Sequence, residues 1–199
     1  MNNYLPDSYR KAIQNRTTWH YIKGWLIRGW TNLKYALARS VARRNGATIG
    51  EAVVMPLSLA RRANRNLVIG NHVCIQTDKF DLLNPIKIGN NVIIGASAEI
   101  LTTSHNLDSS SFEQKDYGIT IDDYVWILGK VLILPSCQHI GCGAVISAGS
   151  VVVRNVETMS VVGGNPAQEF KHRGTLHTDL VVESLLGGDF DAYRKARKG

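Results

Sequence analysis

Six histidines stand in this 199-residue chain: His20, His72, His105, His139, His172 and His177. Imidazole, with an ordinary pKa of about 6.5, is the side chain best matched to taking a proton at neutral pH. His105 differs from the others in its surroundings. It lies in a polar stretch, Thr102–Gly118, that holds Ser109–Ser111 and several charges and reads as a loop. His72 and His139 fall inside a regular repeat and read as exposed corner residues. His20 belongs to a helical segment, and His172 and His177 follow the repeat. Trp126 offers an indole N–H, and Arg154, Lys171 and Arg173 offer the charged donors that suit phosphate. Cys74, Cys137 and Cys142 are odd in number and lack CxxC spacing. Neither a disulfide framework nor a metal site is expected, and a reducing cytoplasm fits.

The elements that must carry these groups repeat every six residues. Ile69 and Ile75 are six apart, and so are Ile88, Ile94 and Ile100. Ile121, Ile127 and Ile133 form another train, and Ile140, Ile146 and Val152 a third. Four positions after many of these stand small or β-branched residues: Val73, Val92, Ala98, Val125, Val131, Cys137, Ala144 and Ser150. Amphipathic helices need steps of three and four, and surface strands need two, so neither makes trains of six. Short flat strands stacked into a triangular prism do, with one aliphatic per side pointing inward. Gly50, Gly70, Gly89, Gly95 and Gly141 follow aliphatics, and glycine and asparagine near the corners are expected to tolerate unusual backbone angles.

The trains change frame three times. Ile75 to Ile88 is thirteen residues, Ile133 to Ile140 is seven, and Ile100 to Ile121 is twenty-one. The last interval contains Thr102–Gly118, expected to be thrown out of the coil as a loop that carries function. Before Thr48 the period differs. Trp19, Ile22, Leu26, Trp30, Leu33, Leu37 and Val41 predict an amphipathic helix ending at Asn45-Gly46. After Pro166 the repeat stops, and Thr178–Leu186 and Phe190–Ala196 read as short helices. The predicted organisation is a basic helical segment 1–48, a repeat domain 49–173 with a loop at 102–118, and a helical tail 174–199.

The chain carries a net charge of +7. Its first 48 residues hold nine Lys and Arg against the single Asp7, whereas the remainder holds 14 basic and 15 acidic residues. A near-neutral body with a basic arm predicts a local anionic partner rather than nucleic acid. No apolar run is long enough to span a membrane, and no secretory leader is expected.

The repeat from about Ile49 to Arg173 resembles the hexapeptide-repeat acyltransferases, specifically the maltose/galactoside and capsule or xenobiotic O-acetyltransferases. The stretches that carry the likeness are Asp122–Trp126 with the following ILGKVLILP, then GCGAVISAGSVVVRNV, and GGNPAQEFKHR with its G-x-P-A signature. The loop opening TTSHN resembles the family's catalytic loop. The resemblance implies a mainly β fold, a left-handed parallel β-helix with an N-terminal amphipathic helix and short C-terminal helices. It implies acetyl-CoA as acyl donor and a homotrimer with sites between adjacent coils. It makes His105 the general base and Trp126 a donor at the thioester or acetyl pocket. It sets Gly129 and Ala148 along the pantetheine arm, and Arg154, Lys171 and Arg173 at the CoA phosphates. Leu128 departs from the family's usual glycine, Lys130 follows it, and the insertion at Ser136–His139 borders the same groove.

Backbone N–H groups are the readiest donors for the oxyanion such a transfer develops. The expected acceptor is a hydroxyl of a saccharide or polysaccharide precursor. The alternatives are an amino sugar, acetylated on nitrogen, an antibiotic hydroxyl, and a catalytically inactive scaffold. A γ-type carbonic anhydrase on the same coil would need three histidines on one zinc, and His72, His105 and His139 are widely separated in the chain. The expected location is cytoplasmic. The apolar stripe of the N-terminal helix is expected to pack on the coil or a neighbouring subunit; the alternative is peripheral contact of residues 1–45 with an anionic membrane at its inner face.

Overall fold

The computed structural model describes residues 5–198. Residues 1–4 and 199, at the ends of the two predicted terminal segments, lie outside the described residues. The fold is mainly β, with helices α1 (Asp7–Gln14), α2 (Thr18–Arg44), α3 (Leu57–Arg62) and α4 (Phe190–Lys198).

The chain visits three parallel sheets in turn. The first sheet is made by Thr48–Ile49, Leu67–Ile69, Ile86–Ile88, Ile119–Ile121 and His139–Ile140. The second contains Cys74–Ile75, Ile93–Ile94, Trp126–Ile127, Val145–Ile146 and Ser160–Gly164. The third contains Glu99–Ile100, Leu132–Ile133 and Val151–Val152, with Phe80 bridging to Ile100. Ile75 pairs with Ile94, Ile121 with Ile140, Ile127 with Ile146 and Ile133 with Val152, so one turn is nineteen residues. The trains of six are the three sides of one turn. Their aliphatics are buried, and so are the small residues Val73, Val92, Ala98, Val125, Val131, Cys137, Ala144 and Ser150. Burial pushes the Cys137 thiol up to about 11, so it serves as a small core residue.

The nineteenth residue has one place. Ile133 to Ile140 passes from the third sheet to the first and takes seven residues; Ile100 to Ile121 makes the same passage with the loop inside it. Ile75 to Ile88 spans two corners: Phe80, in register with Ile100, stands five residues after Ile75 and eight before Ile88, so in each of the three intervals the third-to-first passage is the long one.

The other two corners turn through a left-handed residue three positions after the interior aliphatic, except after Ile75. Ala52, His72, Asn91, Tyr124, Gly143 and Met159 do so between the first and second sheets; Ser97, Lys130 and Gly149 do so between the second and third. Seven of these nine are not glycine. Asn91, Gly143 and Gly149 are among the nine, as expected of asparagine and glycine near corners; the glycines that directly follow the aliphatics act differently. Their role is close approach of successive turns. A Cβ on Gly70 would lie 2.7 Å from the Gly89 carbonyl oxygen, and one on Gly95 2.7 Å from the Gly129 nitrogen. Beside them runs a ladder of side-chain amides: Asn71 Oδ1 accepts from Glu51 N–H and Asn90 Oδ1 from Asn71 N–H, each at 2.8 Å.

Helix α2 lies across the open N-terminal end of the stack. The first turn has no turn below it, so side chains of α2 serve the carbonyls that the second turn does not reach. Arg43 donates to the Ile49 and Gly50 oxygens, Arg39 to Val53 O, and Asn45 to Ala60 O and Arg61 O. Ala38 and Ala42 enter the core beside Ile49 and Leu59. Helix α2 ends at Asn45, with Gly46 at φ 96°, as its sequence predicts. Gly24 and Gly29 give room to α4: a Cβ on Gly24 would meet the Tyr193 hydroxyl at 2.4 Å.

The expectation that the apolar stripe of α2 packs on the coil is not met within this chain. Trp19, Ile22, Leu26, Trp30, Leu33 and Leu37 are exposed, and only Val41 touches the core. The predicted C-terminal helix at Thr178–Leu186 is shorter, a 3-10 turn at Val182–Leu186, whose buried Glu183 meets His72 Nδ1 at 3.3 Å. At the other end of the stack, Ala167–His172 folds back antiparallel on Ser160–Gly164.

Candidate active site

The loop at the third-to-first corner is a β-hairpin. Thr103–His105 pairs antiparallel with Gln114–Asp116. Its root is fixed by Asp81, whose Oδ2 accepts from Thr102 N–H at 3.1 Å, Thr102 Oγ1 at 2.9 Å and Thr103 Oγ1 at 2.8 Å. Asn84 donates to Thr102 O and to Asp116, tying both strands. Burial pushes Asp81 upward, but the hydrogen bonds from Thr103, Thr102 and Leu83 outweigh it and hold its carboxyl below the usual range. The sequence reading passed over Asp81 and Asn84. Both are more than fifteen residues from the groups they hold, and neither sits in a motif.

His105 is exposed near the hairpin tip. Its Nδ1 donates to the Phe112 carbonyl at 3.0 Å, and the Phe112 ring lies tilted 5.3 Å away. A ring that donates through Nδ1 carries its lone pair on Nε2. The orienting partner is a backbone oxygen, not Asp108, whose backbone N–H bonds Asn106 instead.

Trp126 stands on the second sheet, between Ile93 and Val145 of the neighbouring turns. Ile127 points inward and is fully buried, so Trp126 points outward. In a three-sided prism the corner between the third and first sheets is opposite the second sheet. One chain therefore sets His105 and Trp126 on opposite sides, and no hydrogen bond or ring contact joins them among the described residues.

Arg173, expected at the CoA phosphates, lies over Trp126. Its guanidinium lies 4.4 Å from the centre of the Trp126 ring and donates to Gly143 O at 3.1 Å. It belongs to the first-to-second edge, whereas Gly129 and Ala148 lie at the second-to-third corner. Sequence spacing carries no information about which way the returning strand crosses the sheet.

Gly129 and Ala148 stack with Ala96, each two positions after an interior aliphatic. Lys130 N–H donates to Ala96 O at 2.9 Å and Gly149 N–H to Gly129 O at 3.0 Å. The result is a column of small residues up one corner, with Leu128 39% exposed beside it. Arg154 bonds Gln168 across the last turn, and Lys171 is exposed on the returning strand. On the first sheet His139 Nε2 donates to Asp122 Oδ2 at 2.9 Å, beside a shallow groove of about 400 Å³ that includes Lys87, Asp123 and Cys142. Among the described residues, no three His, Cys, Asp or Glu side chains gather as a metal site.

No protein-family model matches the chain. A putative colanic acid biosynthesis acetyltransferase of Escherichia coli is 26% identical over 172 residues, covering 85% of this chain and 93% of that one. A putative acetyltransferase of Schizosaccharomyces pombe is 37% identical over 92 residues, 43% of this chain and 42% of that protein. The chain thus spans less than half the length of the curated relatives that match it locally. Among solved structures, a hexapeptide-repeat acetyltransferase from Vibrio cholerae, complexed with acetyl coenzyme A, is 24% identical with a TM-score of 0.55. That match covers 85% of this chain and 91% of the other. Six-residue trains forming three sheets, together with these likenesses, identify the chain as having the fold of the hexapeptide-repeat acetyltransferases.

Proposed function

We propose that the chain transfers acetyl from acetyl-CoA to a hydroxyl of a saccharide or polysaccharide precursor. The observation that carries this reading is His105, fixed through Nδ1 and free at Nε2, on a hairpin rooted by Asp81. Nε2 takes the proton of the acceptor hydroxyl as its oxygen attacks the thioester carbonyl. The imidazolium then returns the proton to the departing thiolate, so the ring ends as it began.

The coil is read as left-handed, after the family it resembles, and the protein as a cyclic trimer. The opposition of His105 and Trp126 supports that assembly: a site that uses both needs the hairpin of one copy against the second sheet of the next. The small column at Gly129 and Ala148 leaves room for a pantetheine arm, and Arg154 and Lys171 are the cations open to its phosphates. Arg173 stacks on Trp126 and holds it rather than the phosphates. The protein acts in the cytoplasm. Nucleic acid is not a partner, because the body of the coil is near neutral.

The test is acetyl-CoA turnover, read as released thiol, against soluble sugars, nucleotide sugars, amino sugars and antibiotic alcohols. Thiol release with a sugar hydroxyl supports the reading. An amino sugar or an antibiotic as the sole substrate would move it to those acceptors. Neither turnover nor acetyl-CoA binding would reduce the coil to a scaffold.

A further inference from the structure

The outer surface of α2 combines three features. The first is an unbroken apolar stripe. Trp19 and Trp30 are 71% and 77% exposed, and Ile22, Leu26, Leu33 and Leu37 lie between or beyond them. At 1.5 Å per residue, Trp19 to Leu37 spans about 27 Å. The opposite face, with Gly24, Tyr35, Ala38 and Ala42, is buried, so the stripe faces away from the end of the stack.

The second feature is charge. Helix α2 has six Lys and Arg and no Asp or Glu. Three of the cations point inward: Arg28 pairs with the buried Asp189, and Arg39 and Arg43 hold first-turn carbonyls. Lys23, Lys34 and Arg44 remain along the exposed side. The third feature is a groove of about 530 Å³ flanking the stripe, lined by Arg16, His20, Lys23, Ile27 and Arg28 among others, with no acidic residue in its walls.

We infer that α2 is a docking surface for an anionic lipid bilayer, lying flat in the headgroup region with its stripe inserted and the groove taking an anionic headgroup. The occupant follows from the charge. A second copy would bring the same acid-free cationic stripe, and like surfaces repel. A headgroup layer supplies apolar depth and negative charge together, and tryptophans favour that boundary. No helix of the described residues is long and apolar enough to cross a membrane, so the contact is interfacial. On the trimer reading above, a cyclic assembly turns three such stripes to the same side, and their contacts reinforce one another.

The experiment uses the full chain with vesicles of phosphatidylcholine, alone or doped with phosphatidylglycerol, scored by co-sedimentation. Wild type is expected to bind the doped vesicles at low salt and to lose binding as salt screens the charges. Trp19→Glu/Leu26→Glu/Trp30→Glu changes only exposed positions and should weaken binding at least about tenfold, with circular dichroism and assembly mass unchanged. Lys23→Glu should weaken it about fivefold. His105→Ala should bind as wild type does, which separates this inference from the transfer reaction. The inference is overturned if wild type ignores doped vesicles or if the triple variant binds like wild type. It is equally overturned if the triple variant changes the assembly mass, which would make the stripe a contact between subunits.

Discussion

Two kinds of corner run up this coil, and they constrain the chain differently. The first-to-second corner takes six residues in every turn from Ile69 onward, and the second-to-third corner takes six after Ile94, Ile127 and Ile146. Each turns through one left-handed residue, and successive turns approach so closely that Gly70, Gly89 and Gly95 have no room for a Cβ. The third-to-first corner varies, taking seven residues from Ile133 to Ile140, twenty-one from Ile100 to Ile121 and four from Val152 to Val156. A corner with slack can release the chain without disturbing the register on either side, and the His105 hairpin leaves there. Ile100 and Ile121 still pair with Ile133 and Ile140 across it. Rigidity and function are divided between corners of the same prism.

The largest expected effect is at the slack corner. His105→Ala should lower kcat by about two to four orders of magnitude and leave acetyl-CoA affinity nearly intact. Retention of more than about a tenth of wild-type turnover would remove His105 as the base. At a strict corner the loss should be in stability. A Cβ on Gly89 would lie 2.3 Å from Asp123 Oδ1 and 2.8 Å from backbone, so Gly89→Ala should cost about 1–3 kcal/mol in denaturant unfolding. An unchanged midpoint would mean the turns are not in close contact there.

Asp81 tests how the slack corner is steadied. Asp81→Asn should lower kcat about tenfold without changing acetyl-CoA affinity, because the Thr102 and Thr103 hydroxyls lose a charged acceptor. The sign of the pH effect follows from its depressed pKa. The carboxylate's contribution is full above its ordinary value of about 3.9 and is lost as pH falls through the lower folded value. Amide exchange in Thr103–His105 should therefore stay protected at pH 4 in wild type and rise in the Asn variant. Equal exchange in both would leave Asp81 without a positioning role. The smallest effect is expected at Lys130, left-handed at φ 59°. Lys130→Gly relieves strain but frees the unfolded chain, so stability should move by less than about 1 kcal/mol. A loss as large as that of Gly89→Ala would mean that Lys130 also makes contacts that matter.

The interior was legible in advance because it is periodic. A residue every six positions must face the same way, so Ile88, Ile94 and Ile100 declare their burial without knowledge of any partner. The polar interruption around His105 was legible for the same reason, as a break in that pattern. The resemblance of the repeat to a known family supplied the chemistry expected of that histidine, and no periodicity could have.

What the sequence alone determined is therefore the part governed by neighbours in the chain: the trains of six, the small core residues, the break at Thr102–Gly118, and the end of α2 at Asn45-Gly46. Tertiary structure decided whatever depends on partners far away in sequence. Asp81 grips the hairpin from twenty-one residues upstream, and Arg173 returns from the far end to cover Trp126. Helix α2 shows the division most clearly. Its period announced two faces, and the apolar one was expected to pack on the coil or on a neighbouring subunit. The face that packs is the one with Gly24, Ala38 and Ala42, because close contact with α4 and the first turn needs small residues, and first-turn carbonyls need Arg39 and Arg43. Hydrophobicity marks a face for burial; complementary shape and unpaired backbone groups choose which face this chain buries, and the stripe of Trp19 and Trp30 is left outward.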